Sequence, residues 1–218
     1  MRNRRGLEGR VLTDSWCIQT EDEIEELIGK PSDVVKVKIF DHVDEYAAAF
    51  IARSPLVMFA TSDGSGRLEV SPKGDAPGFV TIDGPKTLLL PERPGNKLAF
   101  GFRNILRHPH VAMIFVVPNT TETLRVSGTA ELTRDPTLLD RLAARGKPAL
   151  LATRITVEEC FFHCGKAFIR SELWKPEAWP KDYRVNLGRQ LAKKLNAGDD
   201  VAENIEQSLE TSYKTTLY

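Results

Sequence analysis

The sequence has no excess of charge of either sign, because 30 Lys and Arg residues balance 30 Asp and Glu residues among 218. A protein that neutralises many nucleic-acid phosphates is strongly basic, so we expect no nucleic-acid binding. No apolar run approaches the ~20 residues that cross a bilayer. The arginines near the start are not followed by the apolar stretch of a secretory signal. We therefore expect a cytoplasmic protein that contacts no membrane.

Cysteine is also scarce. An odd set of three, Cys17, Cys160 and Cys164, forms no disulfide framework and fits a reducing compartment. His163 lies between the last two, which leaves a metal site as an alternative interpretation. A closed zinc site needs a fourth ligand, and none is nearby in the sequence, so we predict no metal.

Two nucleotide-binding motifs are absent as well. The chain contains neither the glycine-rich dinucleotide fingerprint nor a P-loop. It also lacks the strand–helix–strand alternation of a parallel sheet. If the protein binds a nucleotide, it does so with other groups.

The apolar pattern instead predicts a mainly β (α+β) protein. Near the start, Thr20 and Glu23 form a capping box, and a second helix is predicted after Asp41 as its N-cap. Further helices are predicted over 96–107 and 136–145, and in the tail from 185 onwards. Strand patterns cover residues 56–61, 67–71, 79–82, 86–90, 110–117 and 122–132, with two final strands at 149–157 and 159–163. About six strands with short turns predict a small antiparallel barrel.

The segment 71–75 combines a hydroxyl, a cation, a glycine and a carboxylate at the end of a strand. Ser71 and Lys73 share strand parity, so both can face one ligand. The cation of Lys73 suits a phosphate, and Gly74 permits a ligand to approach the backbone closely. Asp75 is the carboxylate of this segment. An ordinary loop leaving a strand is the alternative.

A second cationic segment, 93–97, precedes the helix predicted over 96–107. Backbone N–H groups at a helix start attract anions, and Arg93 and Lys97 add positive charge. Asn96 either caps the helix or binds a ligand, and capping is favoured. Arg103 and Asn104 lie further along the same helix.

Three more side chains are candidates near the second half of the chain. Arg125 interrupts an apolar strand and faces either solvent or a site. Trp174 has a flat face and an indole donor that suit a contact with a cofactor, or it is a packing anchor. His163 is more often a satisfied histidine than a catalyst, so we assign no catalytic residue.

Taken in order, these segments resemble the pyridoxamine 5′-phosphate oxidase-related FMN-binding family. The resemblance runs from about Ile39 to Tyr218 and is closest to an uncharacterised bacterial branch. It rests on the order and spacing of residues 71–75, 93–96, 122–126 and 161–164, Leu173-Trp174, and Leu217-Tyr218. No single motif is specific. The motifs of the pyridoxal-phosphate-forming enzyme, an Arg-x-x-Leu-Leu-Lys stretch and a terminal Arg-Leu-Ala-Pro, are missing.

The resemblance implies a six-stranded antiparallel split β-barrel with flanking helices and a homodimer with FMN at the subunit interface. It divides the chain into an N-terminal arm with a short helix (1–38), an FMN-binding domain (39–180) and a C-terminal helical tail (181–218). The resemblance implies that four residues contact the FMN phosphate: Lys73, Arg93, Asn96 and Lys97. At the position of Lys73 the branch usually has Arg. The resemblance places four residues near the flavin ring or its ribityl chain: Ser71, Gly74, Asp75 and Arg125. Asn104 is a further candidate for binding the cofactor. Trp174 is expected to reach the flavin bound to the partner subunit.

The resemblance does not decide the activity, since one fold serves many chemistries. The leading hypothesis is an FMN-dependent oxidoreductase that acts on an unknown small molecule. One alternative is a flavin-binding or flavin-reducing protein without a dedicated substrate. Another is the same barrel binding haem or a deazaflavin.

Overall fold

The structure, a computed structural model, describes residues 16–218. The chain divides into two compact units, Met1–Lys38 and Ile39–Tyr218. The further division predicted at residue 180 stays a prediction. None of the helices in the described part of the chain is long and apolar enough to cross a membrane.

The first unit contains two short helices, α1 (Glu21–Ile28) and α2 (Asp33–Lys36). The predicted capping box is confirmed: the Thr20 hydroxyl accepts from the backbone of Glu23, whose side chain accepts from the backbone of Thr20. Gly29 ends α1 with a φ of 80°, a conformation that favours glycine.

The second unit begins with α3 (Glu45–Ile51), and here the predicted N-cap was wrong. Asp44, and not Asp41, caps the helix, because its carboxylate accepts from Ala47 N–H at 2.8 Å. Asp41 instead forms an ion pair with Lys86. Ala47 and Ile51 turn the buried side of α3 to the sheet core.

Seven strands form one antiparallel sheet in the order β2-β1-β5-β6-β7-β4-β3. They are β1 (Leu56–Ser62), β2 (Leu68–Gly74), β3 (Thr81–Ile82), β4 (Thr87–Pro91), β5 (His110–Val116), β6 (Thr123–Thr133) and β7 (Ala152–His163). The helices flanking them are α4 (Phe100–Arg107), α5 (Pro136–Arg141), α6 (Lys166–Ser171), α7 (Leu187–Leu195) and α8 (Asp199–Thr215), with a 3-10 turn at Pro176–Ala178.

The predicted antiparallel split barrel with flanking helices is confirmed, with seven strands where six were expected. β2 lies at one edge of the strand order and β4 lies next to the other edge. Lys73 on β2 nevertheless forms an ion pair with Glu92, which follows β4. The sheet therefore curls until its two ends meet. Its closed interior holds apolar side chains, among them Phe59, Leu88, Met113, Phe115, Leu124 and Val126.

The two final strands predicted from the sequence are one strand, β7, with a β-bulge. Ser127 on β6 pairs with Glu159 and Gly128 pairs with Val157, so Glu158 is an extra residue in the ladder. A Cβ atom at Gly128 would overlap the carbonyl oxygen of Thr156. A bulge therefore bends β7 without ending it, and the bend requires glycine on the facing strand.

Helices α7 and α8 pack against each other near the end of the chain. Gly188 permits their close approach, because a Cβ there would overlap the carbonyl oxygen of Ala202. Ala192 on α7 and Ala202 on α8 are both buried. Tyr218 follows α8.

Candidate functional site

A cavity of about 560 Å³ lies where the two ends of the sheet meet. Its walls come from β2, from the segment 91–99 that follows β4, from the first turn of α4, and from Leu150 and Leu151. Both cationic segments predicted from the sequence reach this cavity. Ser71, Lys73, Gly74, Arg93, Asn96 and Lys97 all line it.

Strand β2 presents alternate side chains to the cavity. Glu69, Ser71 and Lys73 are half-buried and line it, whereas the intervening residues of β2 are exposed. The strand lies at the edge of the sheet, where it pairs with β1 on one side. A hydroxyl, an ammonium and a carboxylate thus stand in one row.

Lys73 is a cation on this wall, and it is paired. Its Nζ lies 2.8 Å from both carboxylate oxygens of Glu92. The two side chains are only 18% and 17% exposed. Nζ also lies 5.2 Å above the ring of Phe102, a cation–π distance. The ammonium is therefore held at a fixed place, with its charge balanced by Glu92.

Arg93 is held by two other groups. Its Nε donates to Asp75 at 2.8 Å, and its Nη2 donates to the carbonyl oxygen of Leu142 at 2.9 Å. Its Nη1 is buried and finds no hydrogen-bond partner among the described residues. A buried N–H donor without an acceptor is costly, so Nη1 marks a place for an acceptor atom of a ligand.

Asp75 stands behind Arg93 and does not line the cavity. Its carboxylate accepts from Arg93, from the backbone N–H of Ala76 and from the hydroxyl of Tyr218. Burial alone would raise the pKa of Asp75, but the hydrogen bonds from Tyr218, Arg93 and Ala76 outweigh it and keep that pKa below its usual value. Asp75 therefore stays ionised and holds Arg93.

The predicted helix over 96–107 begins four residues later than expected, at Phe100. Lys97 and Ala99 have φ angles of 61° and 56°, which keep this stretch out of the helix. Asn96 therefore does not cap α4, and its side chain accepts from Leu98 N–H at 3.0 Å within the loop.

No other side chain in the described part of the chain caps α4 either. The first N–H groups of a helix have no partner within it, and the first-turn residues Phe100, Gly101 and Phe102 line the cavity. Lys97, exposed on the rim, forms no ion pair with any residue that the structure describes. This end of the cavity therefore offers backbone donors and a cation to an anion.

The model of the family described as pyridoxamine 5′-phosphate oxidase matches residues 43–164, which is more than half of the chain. The chain belongs to the pyridoxamine 5′-phosphate oxidase family. The matched range contains every residue of the cavity wall, from Phe59 to Leu151. No curated protein sequence matches the chain.

Solved structures of similar proteins cover about half of the chain. HupZ of Group A Streptococcus is 21% identical with a TM-score of 0.46, over 55% of this chain and 93% of HupZ. An FMN-binding protein from Syntrophomonas wolfei is 13% identical with a TM-score of 0.41, over 55% and 85%. A FAD-binding protein from Mesorhizobium loti is 17% identical with a TM-score of 0.38, over 57% and 96%.

Besides Asp75, three predicted site residues of this family member lie outside the cavity. Asn104 is buried and donates to the hydroxyl of Thr61 at 3.0 Å, tying α4 to β1. The guanidinium of Arg125 lies 5.6 Å above the ring of Phe161. Trp174 donates from its indole to the carbonyl oxygen of Thr120 at 2.9 Å.

Glu92 and Tyr218 hold the predicted Lys73 and Asp75 in place, and neither was predicted as a site residue from the sequence. Glu92 precedes Arg93 directly, and a carboxylate inside a cationic segment was a usable signal for an ion pair. Tyr218 contacts Asp75 across 143 residues of sequence, and no local pattern indicates that contact. Among residues 16–218, no group of three or more His, Cys, Asp and Glu side chains could hold a metal ion.

Proposed function

We propose that this member of the pyridoxamine 5′-phosphate oxidase family binds FMN in the cavity and acts as an FMN-dependent oxidoreductase on a small molecule. The observation that carries the proposal is the donor set of the cavity. The buried Nη1 of Arg93 lacks an acceptor among the residues that the structure describes, and Lys73, Lys97 and the first turn of α4 line the same space. Such a set suits a phosphate monoester.

The size of the cavity supports a ligand of this class. Pockets for cofactors and small molecules have volumes of about 300–1,000 Å³, and this one measures about 560 Å³. Its cationic side chains form one cluster, enough for one terminal phosphate, and the sequence has no dinucleotide fingerprint. We therefore favour FMN over FAD.

Different side chains of the cavity are proposed to bind different parts of FMN. Lys73, Arg93 and Lys97 supply donors for the phosphate, and Glu92 partly balances the charge of Lys73. Ser71 and Gly74, on the same wall, are placed for the ribityl chain or the ring edge. When bound, FMN supplies hydride or electron transfer, and the protein orients it and leaves a face for the substrate.

We also propose a homodimer with FMN at the subunit interface. The outer face of β2, β1 and β5 carries exposed apolar side chains: Leu68 is 72% exposed, Val70 60%, Ile114 41% and Met58 39%. A contiguous apolar sheet face of this kind favours association. Arg125 and Trp174, which lie outside the cavity, reach a flavin only across such an interface.

The first experiment identifies the cofactor. The purified protein is denatured, and any released chromophore is identified by its absorbance and mass. We expect FMN. Release of FAD, haem or a deazaflavin, or a colourless protein that does not bind added FMN, contradicts the proposal.

The second experiment tests the activity. The FMN-loaded protein is reduced anaerobically with NADH or NADPH and then mixed with a panel of small oxidants and amines. Turnover of a panel member supports an oxidoreductase. Reduction of the flavin without turnover of any panel member supports a flavin-reducing protein without a dedicated substrate.

A further inference from the structure

Tyr218 is held at three points on the second unit, although it lies beyond the last helix. Its hydroxyl donates to Oδ1 of Asp75 at 2.7 Å. Its ring lies 4.6 Å from the guanidinium of Arg145, and its backbone oxygen accepts from Nζ of Lys147 at 2.7 Å. Hydroxyl, ring and backbone are thus each recognised by a different residue.

Two of these contacts come from one tight turn. Ala144 and Lys147 exchange backbone hydrogen bonds of 2.9 and 3.0 Å. Arg145 and Gly146 between them both have positive φ, 51° and 75°, as in a type I′ turn. The turn follows Leu142, whose carbonyl oxygen accepts from Nη2 of Arg93. Tyr218 therefore docks beside the groups that hold Arg93.

The third contact connects Tyr218, through Asp75, to Arg93 on the wall of the cavity. The Asp75 side chain is only 4% exposed, and its two oxygens bind Tyr218 on one side and Arg93 on the other. The hydrogen bond from Tyr218 also helps to keep the pKa of Asp75 low, although burial opposes this. The hydroxyl, the carboxylate and the guanidinium form a continuous chain that ends at Nη1, which has no partner within residues 16–218.

We propose that Tyr218 is a positioning residue for the anion site: it orients Asp75, Asp75 orients Arg93, and Nη1 of Arg93 is thereby aimed at the phosphate monoester of the ligand. The inference rests on the proposed FMN binding. A guanidinium fixed in advance loses less side-chain freedom when it binds a phosphate. Coupling is reciprocal, so the bound ligand also favours the docked position of Tyr218.

Loss of the hydroxyl has two consequences at the site. The Asp75 carboxylate then keeps two of its three donors, Ala76 N–H on Oδ1 and Arg93 Nε on Oδ2, so its orientation is fixed less firmly. Arg93 is in turn oriented less firmly, and the negative charge of Asp75 behind it is less well balanced. Both effects weaken binding of a ligand with a phosphate and leave a ligand without one unaffected.

The test uses Tyr218→Phe, which keeps the ring contact with Arg145. FMN and riboflavin are titrated into wild type and variant by calorimetry. We expect FMN affinity to fall about fivefold or more and riboflavin affinity to stay the same. The matched control is Tyr213→Phe, because the Tyr213 hydroxyl on α8 is exposed and has no hydrogen-bond partner in the described part of the chain; neither affinity should change.

The outcomes of this titration distinguish a failure of the proposed function from a failure of the proposed role of Tyr218. If wild type does not bind FMN, the proposed function fails and this inference fails with it. If wild type binds FMN and Tyr218→Phe binds it equally well, only the inference fails. Equal losses for FMN and riboflavin identify a general packing role and also overturn it.

A double-mutant cycle keeps the test decisive if the variant loses stability. In an Arg93→Ala background, Tyr218→Phe should no longer change FMN affinity, because the group it positions is gone. A loss that persists in that background shows that Tyr218 acts by another route and overturns the inference.

Discussion

Removal of the Lys73 ammonium is the most informative perturbation of the anion site, because it leaves a carboxylate behind. In the structure Nζ lies 2.8 Å from both oxygens of Glu92, and both side chains are about four-fifths buried. In Lys73→Ala the charge of Glu92 has no partner, and it faces a cavity that we propose to hold a phosphate. The single variant therefore removes an attraction and creates a repulsion.

The two effects have separate magnitudes. A hydrogen bond from a charged donor contributes ~1.5–3 kcal/mol, which is roughly ten- to a hundredfold in FMN affinity. Two unit charges about 8 Å apart repel by ~2 kcal/mol at an effective dielectric constant of about 20, a further factor of roughly thirty. Lys73→Ala/Glu92→Gln loses only the first effect, so we expect the double variant to bind FMN more tightly than Lys73→Ala does.

Calorimetric titration of FMN and riboflavin into wild type, single variant and double variant measures both effects. Riboflavin has no phosphate, so its affinity should barely change. Lys86→Ala is the matched control, since Lys86 forms an ion pair with Asp41 on the surface, away from the cavity, and exposed pairs contribute little. Its affinity for either ligand should equal that of wild type.

Three results would refute the reasoning. Equal FMN affinities for the single and double variants would show that the charge of Glu92 does not act on the ligand. Equal losses for FMN and riboflavin would show that Lys73 supports the fold alone. No loss for either ligand would place the phosphate elsewhere, with Lys97 and Arg103 as the next candidates.

Three further predictions concern the β-bulge opposite Gly128, the stability of the protein at low pH and the proposed homodimer. Gly128→Ala should lower the free energy of unfolding by ~1–3 kcal/mol or more in urea denaturation, because its Cβ overlaps the Thr156 carbonyl oxygen; wild-type stability would contradict the bulge. The pKa of Asp75 is lower in the folded chain than its usual 3.8, so its contribution to stability is complete above about pH 4 and is lost as pH falls through the folded value. The stability of Asp75→Asn should therefore fall less steeply below pH 4, and parallel curves would exclude this account. Val70→Lys should give a mass near 24.4 kDa by light scattering, against twice that for wild type; a wild-type monomer with FMN bound would refute the dimer.

The period-two pattern of the sequence was enough to predict most of the sheet. In strand β2 the residue types alternate as the sequence predicts. The burial is the reverse of an ordinary amphipathic strand, because the apolar Leu68 and Val70 are exposed and the polar residues between them line the cavity. The capping box of α1 is similarly local, because Thr20 and Glu23 satisfy each other's backbone. Structure that depends on residues close together in the sequence, such as this capping box, could therefore be predicted.

The errors arose where tertiary contacts decide the backbone. Lys97 and Ala99 adopt positive φ, which neither residue type favours, so nothing local indicates that α4 begins only at Phe100. The choice between Asp41 and Asp44 as the cap of α3 depends on Lys86, which attracts Asp41 from a distant turn. The continuity of β7 depends on its partner strand, where Gly128 accommodates the bulge.

The ion pairs of Lys73 and Arg93 also depend on tertiary contacts that the sequence does not indicate, and they affect the proposed phosphate site. The sequence places Lys73 beside Asp75 and Arg93 beside Glu92, but the ion pairs are crossed: Lys73 binds Glu92, and Arg93 binds Asp75. Crossed pairs join the end of β2 to the segment after β4, and so they hold together the two ends of the sheet. The groups proposed to bind the phosphate therefore also close the barrel. A single substitution perturbs both roles at once, and only paired substitutions, compared on ligands with and without a phosphate, separate them.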